Sequence, residues 1–193
     1  MIGPYSPIDY ADPDDAFRPY DARYPAMAAT VIGLIRARDP RVEVEHVGSS
    51  AVPGCAGKGV IDLMVTYLPG EAETAKAALI GLGFTRYDAP GAWGEDRPVM
   101  IGTIGHDGDR YRVHAHVIAA DAEEVAAQRR FRDRLRADPS LVAEYMARKR
   151  ATLAAGVIDS RQYNAGKDSF IRSVIDGTEA DTGGGPAEKG VPA

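Results

Sequence analysis

A glycine–serine turn and a nearby aspartate are the residues of this chain whose types and spacing suit phosphate chemistry. Gly48, Ser49 and Ser50 follow an apolar, strand-like stretch, and Asp62 lies near the start of the next one. Glycine lets the backbone approach a phosphate, and serine offers hydroxyl and N–H groups to its oxygens. An ionised carboxylate inside an apolar strand needs a partner, a metal ion or water. The unit at 46–65 therefore predicts a site for a phosphate and a metal ion, although strand turns without any site also contain Gly-Ser.

A second group of candidates lies on the alternating stretch 109–119. The period of two predicts a strand with two faces, one carrying Tyr111, Val113, Ala115 and Val117 and the other carrying Arg112, His114 and His116. The two histidines would then lie about 7 Å apart, which suits joint metal ligation or substrate contact. Arg112 could hold a phosphate through two hydrogen bonds. The alternative is a polar, solvent-facing side of an edge strand.

Several cations and one cysteine complete the candidates. Lys58, in the loop before Asp62, could contact a phosphate as a point charge. Further phosphate-binding candidates are Arg97, Lys149 and Lys167, for which surface charge is the competing interpretation. Cys55 could act as a nucleophile with His46 nearby, but a lone cysteine in a loop of small residues is more often inert.

Composition limits the classes of function. The chain has 193 residues, a formal net charge of -5 and 45% hydrophobic residues, which suits one globular domain. The acidic balance argues against nonspecific nucleic-acid binding. A single cysteine excludes an intrachain disulfide, and the sequence shows neither a secretory signal nor an apolar run long enough to span a bilayer. We therefore expect a cytoplasmic protein.

Helical and strand patterns alternate in the first two thirds of the chain, and the last third is helical. Apolar periodicity and breaker residues predict helices at 21–38, 71–82, 121–137, 139–155 and 160–176, and strands at 42–47, 60–68, 84–88, 97–105 and 109–119. Asp21 and Asp121 are the expected N-caps, the latter with Glu124 in a capping box. The leader 1–19 is expected to be poorly ordered and to add little core, and the tail 177–193 to be disordered. Trp93 could cover the site or simply pack.

The central stretch also resembles the hallmark of a known family. HVGSSAVPGCAGKGVIDLMV, starting at His46, is similar to the signature of the GrpB family, also called UPF0157. The resemblance continues in YDARYP at 20–25, HAHV at 114–117, FRDRLR at 131–136, and AEYMARK with QYNAGKDSFI in the closing helices. It runs from about Tyr20 to Ile175 through separated blocks in the same order, so the expected domain is 20–176.

The resemblance implies a nucleotidyltransferase superfold. We therefore expect an α+β fold in which helices pack against a nucleotidyltransferase-like mixed β-sheet, followed by a C-terminal helical segment. The superfold pattern places a second acid two residues after Asp62, but this chain has Met64 there and offers His114 and His116 on a later strand. A metal held by Asp62 and His116 would then favour zinc or another transition metal, although magnesium and manganese stay open.

Two functions follow from this interpretation. The first is an enzyme that transfers a nucleotidyl or phosphoryl group to a small acceptor, with Asp62, His114 and His116 as catalytic residues. The second is a catalytically silent module that binds a nucleotide or another anionic metabolite. Met64 separates the two, because two-metal catalysis needs carboxylates that bridge both ions.

Overall fold

The computed structural model describes residues 2–88, 94, 97–157 and 159–177. They form a five-stranded sheet with the order β1-β2-β5-β4-β3. The strands are β1 (Glu43–Val47), β2 (Val60–Tyr67), β3 (Thr85–Arg86), β4 (Val99–His106) and β5 (Asp109–Ala119). Strands β2 and β5 pair in parallel and the other neighbours are antiparallel, so the sheet is mixed. Trp93 and the tail beyond residue 177 lie outside the described residues.

Helices surround this sheet and end the chain. They are α1 (Pro13–Ala16), α2 (Tyr24–Arg38), α3 (Ala72–Leu82), α4 (Glu123–Ala137), α5 (Pro139–Ala154) and α6 (Ser160–Asp176). The α+β architecture expected from the sequence, with a C-terminal helical segment, is confirmed. Strands β4 and β5 form a hairpin, and Asp107 and Gly108 at its tip both have positive φ angles.

One face of the sheet is apolar and covered by α2 and α3. Its buried cluster includes Val31 and Ile35 from α2, Leu79 from α3, and the odd-numbered residues of β2 and β5. The even-numbered residues, among them Asp62 and His114, therefore point to the opposite face. The alternation predicted for β5 is confirmed by this division.

The C-terminal helices form a second cluster of buried residues. Phe131, Tyr145 and Phe170 pack together, with Tyr145 stacked on Phe170 at a centroid distance of 5.5 Å. Val52 and Cys55, from the loop before β2, belong to the same cluster. The C-terminal helices are thus fixed to the loop that follows the glycine–serine turn.

Two helix starts differ from the expected ones. Helix α2 begins at Tyr24, so Asp21 is not its N-cap. The Asp21 carboxylate accepts a hydrogen bond from the backbone N–H of Arg23, the residue before the helix. Helix α4 follows Ala122, which makes no side-chain cap, so the expected capping box on Asp121 is wrong. Its Glu124 pairs with Arg97 instead.

The leader lies against the sheet. Ile2 is buried in the main core, more than expected for this segment, and Gly3 exchanges backbone hydrogen bonds of 2.7 and 3.0 Å with Thr103 of β4. At the other end, Arg18 and Gly57 form an isolated bridge. These contacts carry residues 3–18 across the polar face.

Candidate functional site

Asp62, His114 and His116 come together because β2 and β5 are parallel neighbours. The register places Asp62 opposite His114, and Met64 opposite His116. Asp62 Oδ1 lies 3.3 Å from His116 Nε2 and 3.8 Å from His114 Nδ1. One potential ligand atom from each of the three residues lies within 4.8 Å of the others. The Asp62 side chain is 22% exposed, so the group is accessible.

These separations are close to those of a metal site. Zinc–nitrogen and zinc–oxygen bonds of about 2.0–2.1 Å in a tetrahedron place ligand atoms roughly 3.3 Å apart. The observed distances of 3.3 and 3.8 Å would need only small side-chain movements. Two imidazoles and one carboxylate suit zinc or another transition metal better than magnesium, which prefers oxygen. The residues therefore fit a single divalent ion, with His114 as a third ligand beside the expected Asp62 and His116.

A hydrogen bond and nearby charges keep Asp62 ionised, and burial keeps His114 neutral. Burial alone would raise the pKa of Asp62, but the hydrogen bond with His116 and the charges of His116, His114 and Lys58 lower it to about 2. Burial lowers the pKa of His114 to about 3, against the opposing charge of Asp62. An ionised carboxylate and a neutral imidazole are the forms that bind a metal ion.

The glycine–serine turn lies directly against the aspartate. Gly48 has a φ angle of 69°, and a Cβ atom there would lie 2.5 Å from Asp62 Oδ2. Glycine thus allows the turn to lie close to the carboxylate of Asp62. Ser49–Ala51 forms one turn of 3-10 helix.

The two serines of the turn point to different partners. Ser50 is buried, and its Oγ lies 3.0 Å from His46 Nε2. Ser49 faces the other way, because a Cβ added to Gly57 would lie 3.2 Å from Ser49 Oγ and 3.0 Å from Lys149 Nζ. Ser49 and Lys149 therefore converge on the space that the missing side chain of Gly57 leaves.

Lys149 is enclosed beneath this loop. Its Nζ donates to the Ala56 carbonyl at 2.8 Å, lies 3.5 Å from Cys55 Sγ and stands 4.1 Å from the centre of the Tyr145 ring. Burial lowers its pKa to about 8. Cys55 thus contacts a lysine in the helical core, while His46 pairs with Ser50, so the two do not form a nucleophile–base pair.

Lys58 and Lys167 both lie close to one aromatic ring. Their Nζ atoms are 4.8 and 5.0 Å from the centre of the Tyr163 ring, and Lys58 also donates to Tyr10 Oη at 3.3 Å. Burial, followed by the charge of Lys167, lowers the pKa of Lys58 from 10.5 to about 7. Burial also lowers the pKa of Lys167, against the opposing charge of Asp62. Neighbouring, partly buried cations of this kind are typical of a site that binds an anion.

The two arginine candidates have protein partners. Arg112 is buried, binds both carboxylate oxygens of Asp15 at 2.8 Å and donates to the Ser6 and Pro7 carbonyls. Arg97 pairs with Glu124. Both guanidinium groups are thus paired with carboxylates, and Arg112 holds the leader.

Other arginines of α4 position the turn. Arg132 donates to Glu45 at 3.0 Å and to the His46 carbonyl at 3.2 Å, and Arg136 donates to the Ala51 carbonyl at 2.9 Å. These arginines thus hold both ends of the segment from His46 to Ala51.

Several aromatic residues of the site were not predicted from the sequence. Tyr5 and Tyr10 come from the leader, where no periodic pattern marks them. Tyr163 precedes Lys167 by four residues, and that helical spacing would have placed both on one face. His46 could have been linked to Ser50 only through the turn geometry.

Comparisons with known proteins agree with this architecture. The family described as GrpB protein matches residues 16–176. The chain is 32% identical over 161 residues to a UPF0157 protein of Streptomyces coelicolor, covering 80% of this chain and 79% of that protein. It is 29% identical over 159 residues to a UPF0157 protein of Halalkalibacterium halodurans, covering 81% and 78%.

A solved structure extends the comparison to the fold. The crystal structure of the conserved protein GrpB from Enterococcus faecalis has a TM-score of 0.67 and 21% sequence identity with this chain. The matched region covers 83% of this chain and 95% of the Enterococcus faecalis protein in that structure. The chain therefore belongs to the GrpB family. Within the described residues, no helix combines the length and apolar character needed to cross a membrane.

Proposed function

We propose that this GrpB-family chain binds a nucleotide or another phosphorylated small molecule beside one divalent metal ion, and transfers a phosphoryl or nucleotidyl group from it to a small acceptor. The observation that carries this proposal is the convergence of Asp62, His114 and His116 beside a cluster of lysines. Positioned cations and a metal ion neutralise the charge that develops on phosphate oxygens during transfer.

The lysines divide into two anion-binding positions. Lys58 and Lys167, both beside Tyr163, offer one pair of charges near Asp62. Lys149 and Ser49, around Gly57, offer a second position at the glycine–serine turn. A ligand with two phosphates, or with one phosphate and another anionic group, would use both.

The metal ion would be held by Asp62, His114 and His116. Bound there, it would act as a Lewis acid on a phosphate oxygen. The chain contributes the ligands in the required forms, because Asp62 has a pKa near 2 and His114 a pKa near 3. Gly48 keeps the turn close enough for its hydroxyl and N–H groups to serve the same ligand.

Binding without catalysis is the second candidate, and Met64 is the observation that favours it. Met64 is fully buried and packs with Val47, Ile118 and Val125, so no carboxylate occupies the position next to Asp62 on that strand. Two-metal transfer depends on such carboxylates. A chain with one acid could sense a phosphorylated metabolite with the same groups that would otherwise support transfer.

A melting-temperature screen tests the proposal. The protein is heated with Zn²⁺, Mn²⁺ or Mg²⁺, alone and together with nucleoside mono-, di- and triphosphates. A ligand that binds the folded state raises the melting temperature by mass action, by an amount that grows with its concentration. We expect a shift with a transition metal and a larger shift with metal and nucleotide together.

Asp62→Asn is the diagnostic variant, and Asp107→Asn is its control. Asp107 is an exposed carboxylate at the hairpin tip, and asparagine tolerates its positive φ angle. Asp62→Asn should lose the metal-dependent shift, whereas Asp107→Asn should keep it. The absence of any shift in the wild-type protein would refute both candidates. A melting shift without turnover of the bound ligand would support the second candidate, binding without catalysis.

A further inference from the structure

The hydroxyl of Tyr5 lies against the back of a proposed metal ligand. Tyr5 Oη is 2.8 Å from His114 Nε2, and the two rings lie 5.3 Å apart between centroids. The other ring nitrogen, Nδ1, faces Asp62 Oδ1 at 3.8 Å. His114 therefore has one nitrogen toward Asp62 and the other in a hydrogen bond with the leader.

Binding of a metal ion through Nδ1 would require one tautomer of His114. A neutral imidazole that binds a metal through Nδ1 must carry its proton on Nε2, and that N–H needs an acceptor. Histidine ligands commonly donate their second N–H to an oxygen, which fixes the ring and the tautomer. Tyr5 Oη is the oxygen at that distance. His116 lacks such support, because its Nδ1 is buried without a hydrogen-bond partner among the described residues.

The leader holds Tyr5 from both sides. Before it, Gly3 pairs with Thr103, and Ile2 is buried in the core. After it, Arg112 binds the Ser6 carbonyl at 2.8 Å and the Pro7 carbonyl at 3.1 Å. A hydroxyl held in this way can orient a neighbouring ring at little cost in conformational entropy.

We propose that Tyr5 is a positioning residue of the metal site. Its hydroxyl accepts a hydrogen bond from the Nε2–H of His114 and so leaves Nδ1 free for the metal ion. The inference rests on the proposed function, because it assigns a role toward the metal ion named there. It also makes the leader part of the site, although the family match begins only at residue 16. Arg112 then serves the site indirectly, through the leader segment that carries Tyr5.

The test compares Tyr5→Phe with Tyr111→Phe. Tyr5→Phe removes the acceptor and keeps the ring against His114. Tyr111→Phe removes a tyrosine hydroxyl from the opposite face of β5, where it bonds Asp21 at 3.2 Å. Binding of Zn²⁺ alone is measured by calorimetric titration, after urea denaturation has shown that both variants fold. We expect Tyr5→Phe to weaken Zn²⁺ binding about 10-fold or more, and Tyr111→Phe to leave it unchanged.

Nitrogen NMR supplies a second readout that a general structural effect would not change. The chain has four histidines, so the ring nitrogens of His114 can be assigned by substitution. We expect the proton on Nε2 in the wild-type protein, Zn²⁺ on Nδ1 after titration, and a smaller Nε2–H population in metal-free Tyr5→Phe.

The outcomes separate this inference from the proposed function. Equal Zn²⁺ affinity in Tyr5→Phe and wild type, or Zn²⁺ on Nε2, would overturn the inference and leave the metal site intact. If the wild type binds no Zn²⁺, the proposed metal site fails, and the tautomer still decides the role of Tyr5. If the proton distribution on His114 is the same in Tyr5→Phe as in the wild type, the inference about Tyr5 is overturned.

Discussion

Replacing Lys58 with methionine tests whether burial and the neighbouring lysines make the charge of Lys58 destabilising in the absence of a bound anion. Methionine keeps most of the unbranched side chain that lies near Tyr163 and removes the charge. Lys58 shares its surroundings with Lys167 and Lys149, and burial together with these charges lowers its pKa from 10.5 to about 7. We expect Lys58→Met to unfold less readily than wild type at pH 7 and to lose the stabilisation that a phosphorylated ligand gives.

The sign and size of the effect follow from proton linkage. The pKa of Lys58 is lower in the folded state, so the unfolded state binds more protons between about pH 7 and 10.5. The contribution of Lys58 to stability is therefore least favourable at or below pH 7 and improves as the pH rises through that window. Between pH 7 and 9 the change would be at most ~2 kcal/mol, and about half of that after partial exposure is taken into account.

Urea denaturation at pH 7 and pH 9 measures the difference between variant and wild type. The advantage of Lys58→Met should shrink from pH 7 to pH 9. Lys76→Met is the control, since Lys76 pairs with Glu73 on α3, away from the site. An advantage that is the same at both pH values, or that Lys76→Met shares, would refute the view that Lys58 is destabilised by its neighbours.

Three further predictions concern the turn. Gly48→Ala should lower the free energy of unfolding by at least ~1 kcal/mol more than Gly54→Ala, as measured in urea. Both residues have positive φ angles, but a Cβ atom meets Asp62 Oδ2 at 2.5 Å at position 48 and nothing within 4 Å at position 54, so equal losses would contradict the contact. Ser50→Ala should cost ~1–2 kcal/mol in the same assay, because it leaves His46 without its hydrogen-bond partner. Ser49→Ala should preserve stability and weaken the nucleotide-induced melting shift. A loss of stability in Ser49→Ala but not in Ser50→Ala would contradict the assignment of Ser50 to His46 and of Ser49 to the space around Gly57.

The sequence predicts the elements of this fold well because its patterns are local. The alternation in β5 identifies the face that carries His114 and His116, and the apolar run of β2 isolates Asp62 as unusual. The parallel pairing that brings Asp62 opposite His114 depends on the tertiary structure, which no local pattern specifies. A shift of the register by two residues would keep every face and separate the ligand atoms.

The partners of charged groups could not be predicted in the same way. Arg112 lies on the expected face, but its carboxylate partner, Asp15, is 97 residues away in a leader without periodicity. Ser49 and Ser50 are adjacent and chemically identical, so only the conformation of the turn decides which of them faces Lys149. Side-chain direction in an irregular segment depends on contacts that no local pattern contains.

Met64 links the packing of α4 to the charge balance of the site. The cluster of Met64, Val47, Ile118 and Val125 joins the sheet to α4, so an acid at position 64 would be buried among apolar groups at high cost. Among the described residues, the group of possible ligands at this site holds one carboxylate, Asp62, and two imidazoles. The cationic charge that a second ion would supply in a two-metal site is present here as lysines. We infer that neutralisation of a bound phosphate depends more on these lysines than on metal ions, so ligand affinity should respond more strongly to Lys58→Met than to an exchange of Zn²⁺ for Mn²⁺.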